Sequence, residues 1–389
     1  MSRLLIDIGS TYFKISSNGQ IDQYLRNFDT SIHDDLSHKC SEVLTKYKKE
    51  DTFICSSANG GLSTLIIGLT NSFSLKYATN IAFNSGINII DTILYPKIKE
   101  YSLPSEVIDV VIVVGGIDGV GNVFDEQLIK FLDRVNYQNI VYVGSGTNRE
   151  FLEKNIPSIK ILKNIITYKL QVFEDELKEY LTNLYQEDII GKQDIKQLYD
   201  VTDNQIYPTP YIVNKSMSSL GEYFDVVDPF ILIDIGGATT DIHYSKDLIS
   251  DNILSSNEYD RLVFKKLGVY KSRQSLIFSA KNNEFVYEFL SYMDVTENIL
   301  EEQSEQALKI LMQLSIFLVL YKMSKQHTAY IDLKLQRVKS IVFTGGTTKV
   351  LSYEQIQKTV LFFYKKILNY HQTPKIIIDK EYMVWTIGV

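Results

Sequence analysis

An apolar strand that ends in aspartate and turns through glycine into small hydroxyl residues occurs twice in this chain. Asp7 closes the run Arg3-Leu4-Leu5-Ile6 and leads through Ile8 into Gly9-Ser10-Thr11 and Lys14. In the second half, Phe230-Ile231-Leu232-Ile233 runs into Asp234-Ile235-Gly236-Gly237-Ala238-Thr239-Thr240-Asp241. Glycine lets backbone N–H groups approach phosphate oxygens closely, the hydroxyls add donors, and a strand-end carboxylate can meet a hydrated Mg²⁺ that bridges protein and phosphate. One such junction is an ordinary turn, because Asp and Gly are turn residues. Two of them, each behind its own apolar strand, imply a polyphosphate gripped between two related domains.

A third element fits the pair. Ser340-Ile341-Val342-Phe343 stops at Thr344-Gly345-Gly346-Thr347-Thr348, where paired glycines would let a flat ring lie against backbone. A chain of 389 residues exceeds one ordinary core, and two domains of roughly 150 to 200 residues are the natural division. At 45% hydrophobic and 22% charged residues there is apolar material for full cores and no signature of disorder. A net charge of −7 argues against a nucleic-acid backbone as the main partner, since that needs a basic stripe.

Cys40 and Cys55 have no metal-ligand spacing, and the five histidines form no pair at helical ligand spacing, so a metal site made of protein side chains alone is not expected. The N-terminus enters a strand at Leu4 without a signal-type segment. The apolar stretch Ile310 to Tyr321, broken by Gln313 and Ser315, reads as too short for a membrane span. The expectation is a cytoplasmic protein without a membrane partner.

Residues 1–150 alternate strands with helical connections, as a mainly parallel sheet in an α/β domain would. Asn18-Gly19 signals a hairpin after Phe13 to Ser17. Residues 151–207 carry apolar positions at helical spacing (Leu170, Phe173, Leu177, Tyr180, Leu181, Leu184) among many charges. This segment reads either as an insertion bearing a partner surface or as helices packing under the sheet. Residues 208–389 open with a connecting helix near Tyr211 to Tyr223 and then repeat the strand, loop, strand order of the N-terminus, with Asp241 to Ser245 standing where Phe13 to Ser17 stood.

In this order and spacing the three loops resemble the phosphate 1, phosphate 2 and adenosine motifs of the superfamily that contains actin, the heat-shock chaperone ATPases and the sugar kinases. The implied fold is a two-domain actin-like ATPase, duplicated ribonuclease H-like folds around a nucleotide cleft, with an added helical segment. Further segments narrow the family: Cys55-Ser56-Ser57-Ala58-Asn59-Gly60-Gly61-Leu62 with Ile66-Ile67-Gly68-Leu69, Gly115-Gly116-Ile117-Asp118-Gly119, Tyr207-Pro208-Thr209-Pro210, Asp234 to His243, and Leu267-Gly268-Val269-Tyr270. Together they resemble the MutL (GlmL) proteins encoded beside glutamate mutase, which are unrelated to the mismatch-repair protein of that name.

That resemblance implies an ATP- and Mg²⁺-dependent accessory factor, reactivase-like or chaperone-like, for an adenosylcobalamin-dependent mutase subunit. It assigns Asp7 and Asp234 to the Mg²⁺ and its waters, with Asp234 or Asp241 orienting the attacking water. Gly9, Ser10, Thr11, Gly236, Gly237, Thr239 and Thr240 would hold the β- and γ-phosphates, Lys14 would neutralise them, and Gly345 and Gly346 would back the adenosine. Alternative roles are a capping carboxylate for Asp241 and a solvated strand lysine for Lys14. Two rival functions of the same fold are a small-molecule kinase and a filament-forming actin relative. A kinase would need a base on the substrate side, and no segment resembles a sugar-binding insert.

Overall fold

The computed structural model describes residues 3–9, 11–27, 29–56, 62–85, 87–103, 107–119, 121–167, 169, 171–191, 197–203, 205–237, 239–248, 258–264, 267–270, 272–324 and 333–389. Ser10, Ala238 and the 57–61 part of the Ser-Ser-Ala stretch lie outside them.

Two sheets share one topology. The first orders β10-β4-β1-β2-β3, from β1 (Leu4–Ile8), β2 (Tyr12–Ser17), β3 (Gln20–Leu25), β4 (Thr52–Ser56) and β10 (Ile206–Pro208). The second orders β13-β12-β11-β14-β15, from β11 (Phe230–Ile235), β12 (Thr240–Ser245), β13 (Tyr259–Phe264), β14 (Ser340–Gly345) and β15 (Lys375–Ile378). In each, the first three strands form an antiparallel meander and the last two add in parallel on the other side of the first strand. This is the duplicated arrangement expected of the actin-like fold. The hairpin at Asn18-Gly19 forms as its composition requires, with both residues at positive φ (51° and 80°).

The strands of the first 150 residues make two sheets, where the sequence suggested one mainly parallel sheet. β5 (Ser63–Gly68), β6 (Asn88–Leu94), β7 (Ile108–Val114), β8 (Tyr137–Tyr142) and β9 (Lys160–Ile161) form a separate parallel sheet, ordered β6-β5-β7-β8-β9. The chain leaves the first sheet after β4, builds this second one, and returns as β10. Apolar runs buried on both faces look alike in sequence whichever sheet they join. Of the positions named in 151–207, Leu170 lies outside the described residues, and Leu177 and Leu181 on the helix Asp175–Gly191 enter the core beside β1 together with Tyr185, so these residues pack under the sheet.

Strand alternation decides where the carboxylates go. Ile6 and Ile8 point into the first core, and Ile231, Ile233 and Ile235 into the second. Leu5 and Asp7, like Leu232 and Asp234, fall on the opposite face. That face carries a shared cluster: Cys55, Phe230, Leu232 and Val342 pack against Ile212 and Met217 of the connecting helical stretch, and against Tyr382, Val384 and Trp385 of the chain's last turns. Both aspartates therefore stand where the two halves meet. The connecting stretch runs through Thr209–Ser216 and Leu220–Tyr223, as the sequence suggested.

The helix Glu305–Ser324 has 20 residues, and an 18-residue stretch of it has a mean hydropathy of 1.5, enough by length and composition to cross a membrane. Here it is the core helix of the second half, with Leu311, Leu314, Phe317 and Leu318 buried against the sheet.

Candidate nucleotide site

Both loops close with the same turn. Gly9 N–H donates to the Tyr12 carbonyl at 2.9 Å, and Gly236 N–H donates to the Thr239 carbonyl at 2.9 Å. A Cβ at either glycine would come within 3.0 Å and 3.1 Å of those carbonyls, respectively, so the turn would have to open by a few tenths of an ångström. The carboxylates then differ in their partners. Asp7, buried, accepts from Lys14 Nζ at 3.0 Å and from Thr209 Oγ1 at 2.6 Å. Lys14 is thus no solvated strand lysine. Burial disfavours its charge, but Asp7 and then Asp234 more than offset this and raise its pKa above the ordinary lysine range.

Asp241 is bound by the buried Arg261, whose Nε donates at 2.9 Å and whose Nη2 donates to the same Oδ1. Thr239 Oγ1 also donates to Asp241, at 3.2 Å, so this carboxylate does cap its own turn. A fourth carboxyl, Asp379, follows β15. It accepts from Thr344 Oγ1 at 2.9 Å and from the N–H groups of Met383 and Val384 at 2.8 and 3.1 Å.

Asp234 lies among these three. It keeps part of its surface open, and among the described residues no side chain hydrogen-bonds to it. Burial raises its pKa to about 6; Lys14 opposes the rise, and Asp241, Asp7 and Asp379 add to it. A carboxylate that is crowded by its own kind and unpaired is a poor structural element and a good cation ligand.

The remaining residues named from sequence divide. Thr11 lies at the first turn, where its carbonyl accepts from Arg26 N–H, while Arg26 Nη1 donates to the Gly9 carbonyl at 3.1 Å. Gly237 turns its carbonyl to the N–H groups of Tyr270 and Ser272. Thr240 is fully buried and donates to the Leu267 carbonyl, so its hydroxyl faces away from the cleft. Gly345 has φ +82°, and a Cβ there would lie 2.3 Å from Asp234 Oδ1. Its bareness is what lets β14 approach Asp234; Gly346 is exposed beside it.

Sequence reasoning passed over Arg261, Thr209, Asp379 and Tyr382. For Asp379 a signal existed, because Ile376-Ile377-Ile378-Asp379 is again an apolar strand ending in aspartate. Arg261 had none, since only the β12–β13 pairing brings it to Asp241.

A fit to Mg²⁺ can be judged from the donors. Among the described residues no group of three or more His, Cys, Asp or Glu side chains is arranged to hold a metal by itself. Open Asp234, with Asp7 nearby, instead suits an ion that keeps most of its waters and leans on phosphate oxygens, the habit of Mg²⁺.

Comparison with known proteins gives a match to the family model described as MutL protein over residues 3–389. The chain belongs to this family. Protein MutL of Clostridium tetanomorphum is 26% identical over 267 residues, covering 63% of this chain and 58% of that relative. The chain therefore spans little more than half the length of the curated MutL it matches. Among solved structures it is similar to a nucleotide-free acetone carboxylase (TM-score 0.42, 11% identity, all of this chain and 70% of that one). It is also similar to the ADPNP-bound activator of 2-hydroxyisocaproyl-CoA dehydratase from Clostridium difficile (TM-score 0.31, 12% identity, all of this chain and 92% of that one).

Proposed function

We propose that this MutL-family chain binds and hydrolyses Mg·ATP between its two halves and serves as a reactivating or chaperone-like factor for an adenosylcobalamin-dependent mutase. One observation carries the nucleotide part: two identical glycine turns, one from each half, stand beside a cluster of four carboxyl groups in which only Asp234 lacks a hydrogen-bonding side chain among the described residues. When bound, Mg²⁺ would supply charge neutralisation at the phosphates. The protein's part is positioning, which is most of what phosphoryl-transfer catalysis requires. Gly9, Thr11, Gly236 and Gly237 place backbone at the phosphates, with Ser10 as an added donor. Lys14 offers a cation held by Asp7. Asp234, ionised above a pH of about 6, receives the metal's water shell and orients the attacking water. Asp241, tied down by Arg261, sets the field around Asp234 and is the weaker candidate for that orienting role.

The same arrangement supports a switch. Shifting two conformations from 1:99 to 99:1 takes about 5.5 kcal/mol of differential binding. A few charge-assisted hydrogen bonds from each half to the γ-phosphate, at about 1.5 to 3 kcal/mol each, supply it and vanish on hydrolysis. The mutase as partner rests on the family and on the sequence resemblance. The test is to incubate the protein with a mutase inactivated by damaged cobalamin, with and without Mg·ATP, following phosphate release and mutase activity together. Nucleotide-dependent recovery of the mutase is expected. Phosphate release without recovery would leave an ATPase with another client, and no release would overturn the nucleotide reading.

A further inference from the structure

Tyr382 touches charged groups of both halves at the cleft. It is buried (3% exposed) and holds a left-handed backbone, φ +56°, which a bulky residue seldom adopts. Its ring lies 4.9 Å from Lys14 Nζ of the first half and 5.0 Å from Lys349 Nζ of the second. Gln23, the residue directly opposite Lys14 in the β2–β3 pair, lies beside the Tyr382 hydroxyl. Lys349 is otherwise exposed, on the short helix Thr347–Val350 that follows Gly345-Gly346.

We infer that Lys349 is a second nucleotide-binding cation and that Tyr382 is a positioning residue, aligning Lys349 and Lys14 from opposite halves on one polyphosphate. This deepens the ATP reading above and rests on it. Charge balance supports it. Four carboxyl groups (Asp7, Asp234, Asp241, Asp379) already face Lys14 and Arg261, so a polyphosphate entering with one Mg²⁺ still needs positive charge. Lys349 brings it from the half that lacks a lysine at its phosphate turn. A lysine over an aromatic face is attracted without being neutralised, unlike one paired to a carboxylate, so its charge stays available to phosphate. Burial and the Lys14 contact hold the ring against the strand pair that carries Lys14.

The test uses the full chain and a non-hydrolysable ATP analogue with Mg²⁺, by calorimetric titration. Tyr382→Ala and Lys349→Ala should each weaken binding by roughly tenfold, the size of a partly desolvated cation–π contact. The double variant should lose little more than either single one, because the two act as a unit. Tyr382→Phe should stay within about threefold of wild type, since it keeps the ring. Trp385, the single tryptophan, packs in the same cluster as Tyr382 and gives an independent readout. Its fluorescence should respond to nucleotide in wild type and Tyr382→Phe, and lose that response in Lys349→Ala. Lys349 is exposed, so its variant tests the claim even if Tyr382→Ala unfolds. Wild-type binding with an unaffected Lys349→Ala, or with Phe as poor as Ala at 382, would overturn the inference. No binding by the wild type would instead overturn the ATP reading beneath it.

Discussion

In the first half the strand-end carboxylate Asp7 faces a lysine across the strand pair, whereas in the second half Asp234 faces another carboxylate, Asp241. The backbone is the same at both places, down to the glycine turn. What differs is one side chain in the register position opposite. Lys14 neutralises Asp7 directly and leaves that end of the cleft without an unpaired carboxylate. Asp241 cannot neutralise Asp234, and it is itself satisfied by Arg261 from the third strand, so Asp234 is left as the group that wants a cation. One fold, copied, thus yields one end whose strand-end carboxylate is paired and one end whose carboxylate is not.

The largest effect expected from breaking this asymmetry is at Asp234. Asp234→Asn should lower Mg-dependent phosphate release by on the order of 10²–10³-fold, the usual cost of a removed electrostatic stabiliser. Its melting temperature should be equal to or above wild type, because a repelled charge is gone. Lys14→Met works on the other end. It leaves buried Asp7 beside Asp234 with only Thr209 as a hydrogen-bonding side chain and should destabilise the fold by about 3 kcal/mol in urea titration, the low end for a broken buried pair since Lys14 is not fully buried. Adding Asp7→Asn should restore most of that stability.

A smaller effect appears in pH. The folded-state pKa of Asp234, about 6, lies above its unfolded value of 3.8. The folded chain therefore holds the extra proton between those values, and this group's contribution to stability is greatest below 3.8 and is lost as pH rises to about 6. Metal binding runs the other way. Proton and Mg²⁺ compete for the same oxygen, so Mg-nucleotide affinity should fall as pH drops through about 6, and Asp234→Asn should flatten that profile. The smallest expected change is Gly345→Ala. A methyl at φ +82° and 2.3 Å from Asp234 Oδ1 should cost about 1 to 2 kcal/mol in thermal unfolding and turn the carboxylate aside.

The sequence made the duplicated loops, the hairpin and the connecting helix legible because each has a local cause: an apolar run, a glycine where φ must be positive, an apolar stripe. It could not separate the first sheet from the parallel one inserted in it, because a strand buried on both faces carries no mark of its neighbours. Within the candidate site, Asp7, Lys14 and Asp234 could be named from the motifs, and the structure brings them together. Arg261 and Tyr382 were not, since they reach the cleft only through the β12–β13 register and through the packing of the last turns onto the connecting helix. Thr240 shows the opposite failure. As a hydroxyl in a phosphate-type loop it reads as a donor to ligand, yet strand alternation turns it into the core.

The most direct test of the central claim is a crystal structure with a non-hydrolysable ATP analogue and Mg²⁺. The γ-phosphate is expected between the turns at Gly9 and Gly236, with the metal's water shell against Asp234 and Lys14 still bonded to Asp7. Phosphates held by one turn alone, or a metal away from Asp234, would contradict that claim.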